Sequence, residues 1–371
     1  HPVLRPHRIA VGLYERTSDG LQRLKRLEID VVGERTEVEE LRGVAQPDLL
    51  LLNDDDLTYA KIRLDARSLS TLVDNIHVLD DELARALAWG ATWDLTRDGE
   101  MAAADYVELV LRGVGVETDL TAVNALLLQA RTAIDYYAPR ADRRALADRF
   151  TGGLARLLKE AEPGSDHQLS IARALALSIN DADGAAVLRA WLDGTEAPEG
   201  LAIDTDLRWR LLTELARVGA AGEAEIAAEA ERDRTATGAE KAAGARAASK
   251  DAAAKAEAWA AATERDTPNE THFQICSQFW QLDQDEVLAP YADLYLDVVD
   301  AIGSGRGTWA TASTTIRQHV LGLLFPRPLA DRAFIAKLDG FLEGRQLPDS
   351  VRRLVSERRD DAVRALNNQE R

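Results

Sequence analysis

The hydrophobic period of this chain changes once, at about residue 66, and that change limits what the chain can fold into. Before it, Ile9, Val11 and Leu13 alternate with Ala10 and Gly12, and Leu27, Ile29 and Val31 share one face beyond the turn-forming Ser18-Asp19-Gly20. Alternation of this kind is the signature of half-buried strands, and the pair reads as a β-hairpin. Val38 and Leu41 suggest another short strand, Leu49 to Leu52 a buried one, and Ile62 with Leu64 a last one. The expectation is a small β-sandwich over residues 1–66, too small to be stable without a neighbour to lean on.

From Ser68 the spacing is helical: Leu69, Leu72, Val73 and Ile76, then Leu83, Leu87 and Trp89, with Asp80 or Asp81 as the cap. The pattern predicts further helices near 101–112, 119–137 (capped by Asp119), 143–159, 167–178, 184–192 and 206–218, joined by short links suited to antiparallel pairs. Residues 219–263 are alanine-rich and admit a linker or tightly packed helices. Trp259, the ordered pair Asp251 and Lys255, and glycines at helix-turn intervals favour helices. Beyond them the aromatic and aliphatic spacing predicts three helices between 273 and 324, and a closing helix runs from Asp349, its cap candidate, to about Leu366. The fold class expected is mainly α: the small N-terminal β-sandwich, then a large α-helical superhelical (HEAT-like) array over residues 67–371.

Composition narrows the function. The formal charge of −18 opposes general binding to nucleic acid or to an anionic membrane. A lone Cys276 allows no internal disulfide, which favours a reducing, cytoplasmic setting. The chain opens His1-Pro2-Val3-Leu4, has one methionine, Met101, and shows no signal-peptide pattern, so it reads as a C-terminal piece of a longer protein.

Chemistry-bearing motifs are missing. The six histidines, His1, His7, His77, His167, His272 and His319, never stand four apart, so no H-E-x-x-H helix offers two imidazoles to a metal. There is no G-x-S-x-G elbow and no P-loop; Gly303-Ser304-Gly305-Arg306-Gly307 reads as a helix connection. Asp54-Asp55-Asp56 after Asn53 reads as a solvated turn rather than a cation site. Cys276 among aromatic residues reads as core, as do Trp280, Tyr291 and Tyr295. The residues support no catalytic group, metal ligand or cofactor in this chain.

The segment Pro47 to Asp65 (PDLLLLNDDDLTYAKIRLD) closely resembles the end of the β-sandwich domain in zinc aminopeptidases of the aminopeptidase N family, the actinobacterial type in particular. Trp89 to Asp98, Phe279 to Tyr295 and Leu347 to Leu366 resemble segments of that family's helical C-terminal domain, also called endoplasmic-reticulum-aminopeptidase-C-terminal-like. The resemblance implies a parent that binds zinc in an upstream catalytic domain, with that domain and peptide substrates as partners. In the parent, this part would cap the active site and shape substrate access. It also implies Trp309, Thr311, Thr315 and Arg317 as substrate-channel candidates, and arginines that recognise a peptide's carboxylate. The competing reading is a helical-repeat scaffold that binds proteins and has no enzymatic role.

Overall fold

The computed structural model describes residues 4–370. Its compact units are two: residues 1–157 with 368–371, and residues 158–367.

The first unit opens with strands β1 (His7–Thr17), β2 (Gly20–Val31) and β3 (Leu49–Asp54), all antiparallel, in the order β2-β1-β3. The hairpin forms as the alternation predicts, and Leu27, Ile29 and Val31 are half-buried along β2. Central β1 is buried on both faces from Ala10 to Tyr14. A Cβ on its Gly12 would lie 2.2 Å from Asp54 Oδ2, so only glycine fits there. Two expectations fail. Val38 to Leu41 carries no strand; Glu39–Leu41 is one turn of 3₁₀ helix, because Glu39 and Glu40 leave the stretch too little apolar surface to bury. Ile62 and Leu64 lie in an unpaired extended stretch, so the described residues form one three-stranded sheet rather than two stacked sheets.

The same unit continues with α1 (Ala66–Asn75), α2 (Glu82–Arg97), α3 (Ala103–Gly113), α4 (Leu120–Thr132) and α5 (Arg143–Glu160), the last of which runs past the unit boundary. Asp65, Asp81 and Asp119 start α1, α2 and α4 by accepting from backbone N–H groups that have no partner within the helix.

The second unit holds α6 (Asp166–Ser178), α7 (Ala182–Leu192), α8 (Thr205–Val218), α9 (Glu223–Arg232), α10 (Ala236–Ala248), α11 (Ala252–Thr263), α12 (Asn269–Phe279), α13 (Asp285–Ser304), α14 (Thr314–Leu323), α15 (Arg332–Gly344) and α16 (Asp349–Gln369), which ends in the first unit. The alanine-rich stretch is helical. Ala242, Gly244, Ala245, Ala247 and Ala248 of α10 are buried, and their small size allows α10 to lie close to α8 and α12. Gly305 takes a left-handed φ of 63° to end α13, which is the work of the glycine-rich link. Helix α15 was not among the expected elements, although Phe334, Ile335, Leu338 and Leu342 mark its buried face. Asp349 is the first residue of α16 rather than its cap.

A single device recurs at the helix ends. The last carbonyls of a helix have no partner within it, and here side chains from other elements supply the donors. In the second unit Arg208 reaches Leu192 O (2.9 Å) at the end of α7, and Gln284 reaches both Arg217 O and Ala248 O (3.0 Å each) at the ends of α8 and α10. Trp280 reaches Leu324 O (2.8 Å) after α14. In the first unit Asn368 donates to Thr96 O and Arg97 O (3.1 Å each) at the end of α2.

Candidate functional site

The channel candidates fall on one short stretch. Trp309 sits in a 3₁₀ turn and is 5% exposed, part of the core of the second unit. Thr311 and Thr315 are exposed, and Arg317, on α14, is half-buried. Arg317 is brought back onto the turn: its Nη2 donates to Trp309 O at 2.7 Å, while its buried Nε finds no acceptor among the described residues. The stretch therefore joins a packed indole, two exposed hydroxyls and one guanidinium with an N–H unused.

The acidic triplet is a built turn. Tyr14 Oη donates to Asp54 at 3.0 Å, and Arg23 donates to Asp54 (2.9 Å) and Asp55 (2.8 Å), with Arg26 also on Asp55. Burial, reinforced by Asp54, pushes the Tyr14 hydroxyl well above the ordinary tyrosine range; Arg23 holds Asp55 below the ordinary carboxylate range. Asn53 donates to Asp56 and to Thr58 O and accepts from Thr58 N. The charges of Asp54 and Asp55 close on Arg23 and Arg26, and the turn is only partly solvated, since Asp54 is fully buried.

Two features went unforeseen. Lys255 was expected to pair with Asp251. Asp251 instead caps α11, and Lys255, fully buried, donates to Ala247 O (2.6 Å) and Phe279 O (2.5 Å) with its ammonium 5.1 Å from the Phe279 ring centre. Burial lowers its pKa to about 7. The second feature is a histidine pair. His272 Nε2 faces Ala262 O at 2.9 Å; a carbonyl only accepts, so Nε2 carries the proton and Nδ1 is the acceptor. His319 Nδ1 lies 3.2 Å from it as the donor, and Cys276 Sγ lies 3.6 Å away. The pair stands 47 residues apart in sequence, so motif spacing carries no trace of it.

The zinc implied for the parent does not fit this cluster. The Nδ1 lone pair of His272 accepts from His319, and burial pushes the Cys276 thiol far above its ordinary range, away from the thiolate that binds metal. Among the described residues no group of three or more His, Cys, Asp or Glu side chains is placed to hold a metal ion, and no helix is long and apolar enough to cross a membrane.

Comparison with known proteins agrees with these elements. Residues 49–364, from β3 into α16, match the family model described as ERAP1-like C-terminal domain. The chain is also similar to a protein named Aminopeptidase N from Streptomyces lividans, 44% identical over 370 residues, which is 99% of this chain and 42% of that protein. The chain thus spans less than half the length of the curated relative it matches. With a model match that runs from β3 through its helices into α16, this chain belongs to the ERAP1-like C-terminal domain family.

Proposed function

We propose that this chain is the noncatalytic C-terminal part of a zinc aminopeptidase that releases N-terminal residues from peptides, and that it caps the active site and shapes substrate access. The observation that carries the reading is the 44% identity to Aminopeptidase N along 99% of this chain, combined with a sequence that contains no H-E-x-x-H helix. The zinc and the catalytic groups then belong to an upstream domain, with residues 1–66 as the end of a β domain and 67–371 as the helical domain. Closure of such a part over a catalytic cleft would exclude water and commit the peptide. Trp309, Thr311, Thr315 and Arg317 are the residues proposed to line the channel; the exposed hydroxyls of Thr311 and Thr315 support the assignment, because each can donate to or accept from a peptide backbone. The lone cysteine supports a cytoplasmic protein.

The test compares two purified proteins, this chain and the full-length parent, on alanyl and leucyl chromogenic substrates with zinc quantified in each. The parent is expected to turn over, to lose activity to a chelator and to regain it with zinc; the chain alone is expected to do neither and to hold no stoichiometric zinc. Chelator-sensitive turnover by the chain alone would refute the noncatalytic role, and an inactive zinc-loaded parent would refute the peptidase reading.

A further inference from the structure

Four tyrosines among the described residues are buried, and three of them donate: Tyr14 to Asp54 (3.0 Å), Tyr106 to Gln129 (2.6 Å) and Tyr295 to Leu321 O (2.8 Å). The fourth is Tyr137, 5% exposed, whose hydroxyl has no hydrogen-bond partner among the described residues. A buried phenol ordinarily finds one, so the exception needs a reason. Tyr137 ends a π-helical turn, Ala133–Tyr137, closed by Ala138 N on Ala133 O at 2.8 Å. Such turns are rare and recur at functional sites. Trp93 braces the ring edge-on, 5.8 Å between centres, and Tyr137 lines a cavity of about 440 Å³ in the first unit.

The same cavity holds a second unused group. Asn368, 9% exposed, gives both N–H donors of its side chain to Thr96 O and Arg97 O. That fixes the amide orientation and leaves its Oδ1 as an acceptor without a donor among the described residues. The walls beside them are apolar, Met101, Ala103 and Leu146 among them. Three charged residues complete the lining. Arg63 holds Glu100 at 2.9 Å, but the exposed Asp142 and Arg149 make no ion pair among the described residues. Leu146 N bonds Asp142 O at 2.9 Å, so the helical path of α5 already begins at Asp142. Seven residues on, two turns later, Arg149 lies on the same side of the helix with its backbone about 10 Å away.

We propose that this cavity binds a free aromatic α-amino acid with a polar tip, of the kind that L-tyrosine represents. Its ammonium meets Asp142 and its carboxylate meets Arg149. The two charges of an α-amino acid are about 3 Å apart, and a charge-assisted hydrogen bond of ~2.8 Å at each end brings the span close to the separation of the two residues. The ring packs on the apolar wall beside the Met101 sulfur, and the phenol donates to Asn368 Oδ1 and accepts from Tyr137 Oη. Each unused group of the lining then has its partner in one ligand. A fully apolar ligand would leave both inner oxygens unpaired, an anion would face Asp142, and a cation would face Arg149. Size selects among the amino acids, because 440 Å³ is within the range of pockets for small organic molecules and exceeds what a short amide side chain fills. On the peptidase reading the ligand is of the class that the reaction releases, but its binding does not depend on that reading.

The test titrates the full-length protein with L-tyrosine, L-phenylalanine and tyramine by isothermal calorimetry, in the wild type and in the Tyr137→Phe and Arg149→Met variants. L-Tyrosine is expected to saturate a site whose affinity falls roughly tenfold in either variant. Phenylalanine, which lacks the tip, and tyramine, which lacks the carboxylate, are expected to bind the wild type roughly tenfold more weakly. Tyr137→Phe keeps the ring against Trp93 and removes a hydroxyl that has no partner in the protein, so its melting temperature is expected to match the wild type. No saturable binding of L-tyrosine, phenylalanine or tyramine binding as tightly, or a variant that binds unchanged would each overturn the proposal. A lowered melting temperature in Tyr137→Phe would also overturn it, by showing the hydroxyl engaged within the protein. The titration is read without turnover, so it stands or falls separately from the peptidase assay.

Discussion

His272 is a neutral ring with its proton on Nε2, held there by the Ala262 carbonyl, and its other nitrogen is occupied by His319. Burial, with the neighbouring His319 adding to it, holds its pKa below the ordinary 6.5. The unfolded chain therefore binds more protons than the folded one as pH falls, so the stability this ring contributes is complete above about pH 6.5 and is lost as pH drops through the folded-state midpoint, at about 1.4 kcal/mol per unit of lowering. His319, itself lowered by burial but raised by Glu270, becomes a second cation against the first, and Cys276 offers no negative charge to offset them. Histidine NMR titration is expected to place the His272 midpoint below 6.5, and melting temperatures are expected to fall from pH 7.5 to pH 5. His319→Gln is expected to make that fall smaller. A His272 midpoint at or above 6.5 would show that burial does not disfavour the charged ring.

At the scale of elements, the helices are joined at their C-terminal ends as well as along their faces. Lys255 binds the last carbonyls of α10 and the end of α12 at once, and there the negative ends of two helix dipoles offset part of the cost of burying its charge. Lys255→Met keeps the stem and removes the donors, stranding two buried carbonyls; a loss of about 2 kcal/mol is expected, read as a lower urea midpoint with an unchanged slope. Little of this was legible in the sequence. The change of period near residue 66, the hairpin and the aspartate caps were legible, because propensity and capping act over three or four residues. The nearest local partner for Lys255 was Asp251, and spacing alone favoured that pair. The carbonyls it reaches lie 8 and 24 residues away, brought near only by helix packing. The same limit hid the His272–His319 pair; Val38 and Leu41 suggested a strand, but Glu39 and Glu40 between them leave too little apolar surface to bury one. Trp309 and Arg317 were legible as members of one short stretch, but the burial of the indole was not.

For the whole molecule, the feature with most reach is Asn368. Its side chain closes the end of α2, Gln369 donates to Tyr136 O at 2.8 Å, and Asn368 also lines a cavity of about 440 Å³ beside Met101 and Tyr137 in the first unit. Deleting residues 368–371 is expected to cost the first unit about 2–3 kcal/mol, from three lost hydrogen bonds and an opened cavity. Limited proteolysis should then cut first within residues 90–140, and cleavage no faster than in the intact chain would show that these bonds carry no stability. Asn368 and the carbonyl of Thr96 are 272 residues apart. At a ribosomal rate of ~5–20 residues per second, α2 waits roughly 15–50 s for the donors that finish it. For most of the synthesis of the chain the end of α2 thus has only its local backbone donors, Gly99 N on Thr96 O and Glu100 N on Leu95 O, a window in which a chaperone has its best access to it.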